Sequence, residues 1–253
     1  MYIRAAHAET SIQVLRQLVR DNPLGFLTTA IQSDEHAFLQ TSHIPFVLDV
    51  DDESSDASKS RLRGHLARQN PHSKAMIEEL SRGAGSGGVL ERDVLVIFTA
   101  QHHYVTPKFY TETKPSTGKV VPTWNYSAAQ VYGRAKVFFD SKSGETSSFL
   151  GKQISDLTLH AETSVMGYTG GDRPKDWKVT DAPENFINIL KKNIIGIEIE
   201  IDRLEGKFKM SQEMGKGDRE GVIQGFHDLQ NDVGQKISDT VKARGELKDQ
   251  QSK

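Results

Sequence analysis

The chain has 253 residues, 36% of them hydrophobic, with 32 Lys and Arg against 34 Asp and Glu for a formal charge of −2, and no cysteine. That length suits one domain of about 200 residues with trimmings, or at most two small ones. Without cysteine there are no disulfides, thiolate metal sites or cysteine nucleophiles, and the near-neutral charge offers no bulk attraction for nucleic acid. No run approaches the ~18 apolar residues of a bilayer span, and the N-terminus lacks the apolar core of a secretory signal, so a soluble, cytoplasmic protein with no membrane contact is expected.

Residues 9–20 read as a helix capped by Thr10 or Ser11, with Ile12, Leu15, Leu18 and Val19 on one face. Asn22-Pro23 stops it, because proline disfavours helical geometry in the residue before it. Leu24 to Ile31 reads as a buried strand. Ala37 to Leu48 reads as a second, paired with the first through the turn Gln32-Ser33-Asp34-Glu35 and broken or placed at an edge by Pro45. The acidic, serine-rich stretch Asp49 to Ser60 has nothing to bury and reads as a solvated loop. Arg61 to Ala67 is a third strand, Pro71 to Leu80 a helix with proline in its first turn, and Arg82 to Gly88 a flexible linker. The linker glycines lack the Lys-Ser/Thr of a phosphate-binding loop.

Val94 to Thr99 is the most apolar strand, extended by or paired with Gln101 to Thr106. A polar loop over Pro107 to Lys119 leads to a long strand within Trp124 to Asp140, and helices are expected near 144–160 and 183–192. Ile195, Ile197, Ile199 and Ile201 alternate with Gly196, Glu198, Glu200 and Asp202, the period of a half-buried strand. A polar surface helix fraying into a disordered tail should follow, giving a domain over 1–226 and a tail over 227–253. Six or seven strands without strict βαβ alternation argue for an antiparallel barrel with helices outside, a mainly β fold.

Four segments could carry chemistry. His102 and His103 are adjacent in a strand and must point to opposite faces, so they cannot share one metal, and no His-Glu-x-x-His run occurs; no metal site is expected. Arg61, Arg63, His65 and Ala67 share a strand face, with Arg68 just beyond, where a helix begins. Guanidinium, imidazole and a helix N-terminus together suit an anion, although a solvated basic edge has the same composition. Trp124, flanked by Thr123, Asn125 and Tyr126, offers either a stacking surface for a planar ligand or a corner-packing indole. Lys207 and Lys209, with Ser211 and Gln212, could reach a phosphate or carbonyls. No Ser–His–Asp order, paired-carboxylate motif or dinucleotide fingerprint is present.

Taken in order, Asn22-Pro23-Leu24, Ser42-His43-Ile44-Pro45, Gly64-His65-Leu66-Ala67-Arg68-Gln69-Asn70-Pro71, Val121-Pro122-Thr123-Trp124-Asn125-Tyr126, Gly196-Ile197-Glu198-Ile199-Glu200-Ile201, Glu205-Gly206-Lys207 and Ser211-Gln212 resemble the PaiB-type family. These are FMN-binding negative transcriptional regulators with the split β-barrel of the pyridoxamine-phosphate-oxidase and flavin-reductase group. The resemblance runs from Tyr2 to about Phe226. It implies a homodimer with FMN at the subunit interface, the phosphate meeting Ser42, His43, Arg63, His65, Leu66, Ala67, Arg68 and Asn70. The ring would meet Thr123, Trp124, Asn125 and Tyr126, with Lys209, Ser211 and Gln212 nearby. Where the family reads Lys-Leu-Ser-Gln-Asn, this chain has Lys209-Met210-Ser211-Gln212-Glu213, which puts a charge in place of an amide. The charge of −2 and the lack of a recognition helix argue against direct DNA binding. Two alternatives share the barrel: a flavin-dependent oxidoreductase acting on a small molecule, with His102, His103 or Tyr104 as proton donor beside Trp124, and a haem-binding barrel with a histidine ligand.

Overall fold

The computed structural model describes residues 1–52, 56–57 and 60–251. Part of the expected acidic loop therefore lies outside the described residues. An antiparallel sheet of eight strands carries helices on its flanks. The strands are β1 (Ala8–Glu9), β2 (Leu24–Ala30), β3 (Leu39–Pro45), β4 (Val47–Val50), β5 (Ser60–Ala67), β6 (Val94–Val105), β7 (Thr123–Phe138) and β8 (Ile194–Lys209). Their order is β3-β2-β6-β7-β8-β5-β4, with β1 added to β8. The helices are α1 (Ile12–Asp21), α2 (Pro71–Ser81), α3 (Thr113–Thr117), α4 (Gly144–His160), α5 (Glu184–Lys192), α6 (Lys216–His227) and α7 (Asp232–Gln251). The second apolar stretch is two strands rather than one, because the chain bends at Pro45-Phe46. The expected loop over 107–119 contains a 3-10 turn, Pro107–Phe109, and the short α3.

The chain forms two compact units. One comprises Met1–Ser11, Thr99–Ala129 and Glu205–Lys253; the other comprises Ile12–Phe98 and Gln130–Leu204. In the larger unit the terminal strands of the path, β3 and β4, are separated by Phe46 alone, so the sheet must curl back on itself. The hairpin of β2 and β3 is in the register Phe26 to His43 and Leu27 to Ser42, and β5 pairs β8 with His65 opposite Gly196. Phe46 and Phe98 meet edge to face, 5.9 Å between ring centroids, in the interior of the curl. Gly25 and Gly64 make room for them: a Cβ at Gly25 would lie 2.8 Å from the Phe98 ring, and one at Gly64 2.9 Å from the Phe46 ring.

The smaller unit has its own core. Val105, Tyr110, Met210, Val222, Phe226, Ile237 and Val241 are buried together. The polar tail expected after residue 226 is here the twenty-residue helix α7. Its Ile237 and Val241 are one helical turn apart and both fully buried, and Arg244 pairs with Glu9 and lies over the Phe208 ring at 3.6 Å. Two buried apolar residues were enough to dock a helix of mostly polar sequence. Asp218 of α6 orders the start of α3, its Oδ1 accepting from the Glu112 N–H at 2.9 Å and the Thr113 N–H at 3.0 Å.

The curl predicts strong sensitivity at Gly64. A Gly64→Val substitution drives two methyls into Ile44 and Phe46, and should lower the unfolding free energy by about 3 kcal/mol. A urea midpoint within error of the wild type would show that the interior is not tightly filled there.

Candidate functional site

The segment from β5 into α2 belongs to the larger unit. Asn70 caps α2: its Oδ1 accepts from the His72 N–H at 3.0 Å, with Pro71 supplying the first helical position. The Asn70 Nδ2 donates to Ser42 Oγ on β3 at 3.4 Å. His72, only 1% exposed, lies between two hydroxyls, Nδ1 at 2.9 Å from Ser42 Oγ and Nε2 at 2.8 Å from Thr29 Oγ1. Burial holds the His72 ring down to about 4, so it is neutral near pH 7. A hydroxyl, an amide and the first turn of an eleven-residue helix thus converge around one neutral imidazole. Such a group presents donors to an anion without a bound counter-charge.

The other residues expected at this end behave differently. The Arg63 guanidinium is buried and spent: it pairs with both oxygens of Asp49, with Asp156 Oδ2 at 2.7 Å, and reaches Gln153 Oε1 at 3.4 Å. It ties β5 to β4 and α4 rather than facing a ligand. Arg68 is occupied by main chain, its Nε donating to the Lys192 carbonyl at 3.2 Å and its Nη2 to the Phe139 carbonyl. Arg68 N–H donates to the Asn193 carbonyl at 2.8 Å. His43 points away from Ser42, as alternation requires, and packs its ring edge on Phe26 at 4.4 Å. Leu66 is core, and Ala67 contributes its carbonyl to the Ser73 hydroxyl at 2.8 Å. His65 keeps a buried Nδ1 without a hydrogen-bond partner, and burial lowers its pKa as well.

The remaining candidates belong to the smaller unit. Trp124 is 54% exposed at the start of β7. Tyr104 meets it edge-on at 6.1 Å and His102 tilts toward it at 6.3 Å, while His103, on the opposite strand face, packs against Phe226 at 5.3 Å. Lys209 Nζ donates to Thr123 Oγ1 at 2.6 Å and to the Trp124 carbonyl at 2.9 Å. Burial lowers the Lys209 pKa; Glu213 opposes this, while Lys207 and Arg4 reinforce it. Asn125 is fully buried, its Oδ1 accepting from Ser211 Oγ at 3.1 Å and its Nδ2 unpartnered. Ser211 holds a left-handed backbone, φ 58°, unusual for a residue with a side chain. Tyr126 lies beneath Lys207 Nζ at 5.2 Å. Gln212 braces its own turn, its Oε1 accepting from Met210 N–H at 2.7 Å and its Nε2 donating to the Phe208 carbonyl. Glu213 faces the buried His7, Oε2 to Nε2 at 3.1 Å.

The expected residues therefore fall into two sets, one per unit. Within them Ser42 and Asn70 converge, as do Thr123, Trp124 and Lys209, and Asn125 with Ser211. Sequence reasoning missed Thr29, His72 and His7 as contact residues, and noted Glu213 only as a charge in place of an amide. Only His72 left a signal, a polar residue in the first turn after Asn70-Pro71; its two partners are 30 and 43 residues away. Among the described residues, no group of three His, Cys, Asp or Glu side chains is placed to hold a metal, and no helix is long and apolar enough to cross a membrane.

The buried imidazole sets a pH dependence. His72 titrates near 6.5 when unfolded and near 4 when folded. Between those values the unfolded chain binds a proton that the folded one refuses. Stability is full above about 6.5 and falls as pH drops toward 4, by roughly 3 kcal/mol. In urea titrations at pH 7 and pH 4.5 the wild type should lose more stability than His72→Gln. Equal losses would contradict a neutral, buried ring.

Against known proteins, a family model described as "Putative FMN-binding domain" matches residues 1–203. An uncharacterised protein of Aspergillus fumigatus is 58% identical over 259 residues, covering 98% of this chain and 99% of its own. Protease synthase and sporulation protein PAI 2 of Bacillus subtilis is 24% identical over 231 residues, covering 91% of each. Among solved structures, the flavocytochrome Anf3 of Azotobacter vinelandii shares 11% identity at a TM-score of 0.43, covering 82% of this chain and 72% of its own. With the match spanning β1 to most of β8, the chain belongs to the family of that FMN-binding domain.

Proposed function

We propose that this protein is a cytoplasmic flavoprotein that binds FMN as a homodimer and serves as a negative regulator without itself contacting DNA. The observation that carries the cofactor is the shelf at Trp124: a half-exposed indole framed by Tyr104 and His102, with Lys209 fastened behind it by Thr123. A flat aromatic face bordered by donors suits a planar heteroaromatic ring. The cluster of Ser42, Asn70 and His72 at the start of α2 suits the phosphate, and a homodimer allows each contact to come from either protomer. The unpartnered Nδ atoms of Asn125 and His65 fit a polar ligand, since buried donors and acceptors rarely go unused. The regulatory part rests on the resemblance to PaiB-type proteins. The charge of −2 supports an indirect route.

A second reading has its own support. His102 and Tyr104 lie on the Trp124 side of β6, whereas His103 does not, so an imidazole or a phenol stands beside the shelf. Bound FMN would supply the redox chemistry, and these two side chains would hold or deliver a proton to a small-molecule substrate.

The test is an absorption spectrum after adding FMN and removing the excess by gel filtration. Flavin bands should stay with the wild type, riboflavin should bind at least tenfold more weakly for lack of its phosphate, and Trp124→Ala should weaken FMN by about tenfold. A protein that ignores FMN overturns the reading. Rapid bleaching of bound flavin by NADH or NADPH would favour the oxidoreductase, and salt-sensitive DNA binding would overturn the indirect route.

A further inference from the structure

The helix α5 has no core of its own. None of its nine residues is buried, yet Phe186, Ile189 and Leu190 recur at helical spacing and are 53%, 59% and 44% exposed. A helix this short does not hold its shape in water by propensity alone. Its C-terminal end is fastened instead. Asn193 Nδ2 donates to the Ile189 carbonyl at 3.1 Å, and Arg68 donates to the Lys192 carbonyl. The helix is thus held at one end with its apolar stripe open to solvent. Three large apolar side chains on one exposed stripe mark an interaction surface rather than scattered surface residues.

Charge identifies the occupant. Glu184 sits in the first turn, Lys191 and Lys192 in the last, and among the described residues none of the three makes a salt bridge. Such a helix is complementary to its own reversed copy. Antiparallel pairing lays the apolar stripe on itself and brings Glu184 of each chain to the basic end of the other. We propose that α5 is a self-recognition element, packing antiparallel against α5 of a second copy of this chain across a two-fold axis. This rests on the homodimer proposed above and gives it an interface. The helix pair is its apolar centre, and neighbouring surface completes the area of about 1,000 Å² that a specific interface needs.

Sedimentation equilibrium of the full chain tests the pairing, with the 28.2 kDa monomer mass as reference. The wild type should be a dimer. Phe186→Glu combined with Ile189→Glu should raise the dimer Kd roughly a hundredfold. Both positions are exposed in the monomer, so circular dichroism should be unchanged. Glu184→Lys alone, and Lys191→Glu with Lys192→Glu alone, should each weaken the dimer by about tenfold. Mixing those two variants should restore it, because each heterodimer contact then joins opposite charges. A wild-type dimer that survives the double Glu substitution overturns the α5 pairing and leaves the homodimer standing. A wild-type monomer overturns both. Mixed charge variants that fail to recover overturn the antiparallel arrangement.

Discussion

One covalent constraint shapes the larger unit: the two ends of its sheet, β3 and β4, are joined by a single residue, Phe46. Strands at opposite ends of an open sheet cannot be neighbours in the chain, so the sheet has to curl. Curling creates an interior too narrow for side chains from every strand, and Gly25 and Gly64 yield their places to Phe98 and Phe46. Strand alternation then places Ser42 toward His72 and turns His43 away to Phe26. The bend at Pro45 and the partners of Ser42 are therefore consequences of the same closure.

Polar groups fasten what closure brings together, and they do so with residues that looked available for ligands. Arg63 ends in a cage of Asp49, Asp156 and Gln153, where a buried guanidinium needs every donor satisfied. Arg68 covers main-chain carbonyls at the end of α5 and at Phe139, groups that a helix terminus and a strand end leave without partners. Both arginines carry the right chemistry for an anion, yet Arg63 is engaged by side chains of β4 and α4 and Arg68 by main-chain carbonyls. Buried nitrogens of His65 and Asn125, by contrast, have no hydrogen-bond partner, and Ser42 and Asn70 are tied only to neutral groups.

In the smaller unit, weak sequence signals add up. α7 is mostly polar, and its docking depends on Ile237 and Val241 with Arg244 laid over Phe208. Polar composition alone reads as a helix fraying into a tail, because its few large apolar residues, Val233, Ile237, Val241 and Leu247, are outnumbered by polar ones and only Ile237 and Val241 are buried. α3 is similar: nothing in Thr113-Lys114-Pro115-Ser116-Thr117 demands a helix, but Asp218, over a hundred residues away, accepts its first N–H groups. Long-range partners of this kind are invisible to local propensity.

The sequence by itself determined most strands and helices, through the two-residue alternation of Ile195 to Ile201, the apolar run at Val94, the stops at Pro23 and Pro45, and the cap at Asn70. It also determined the family, through short strings that a local comparison can read. These are properties of neighbouring residues, and backbone sterics and burial act on neighbours. Only the tertiary structure decided which polar residues face one another: His72 between Ser42 and Thr29, Arg63 with Asp156, and Asn125 with Ser211. Those contacts join residues 30 to 93 positions apart, and their geometry follows from how the sheet closes, which no single segment encodes.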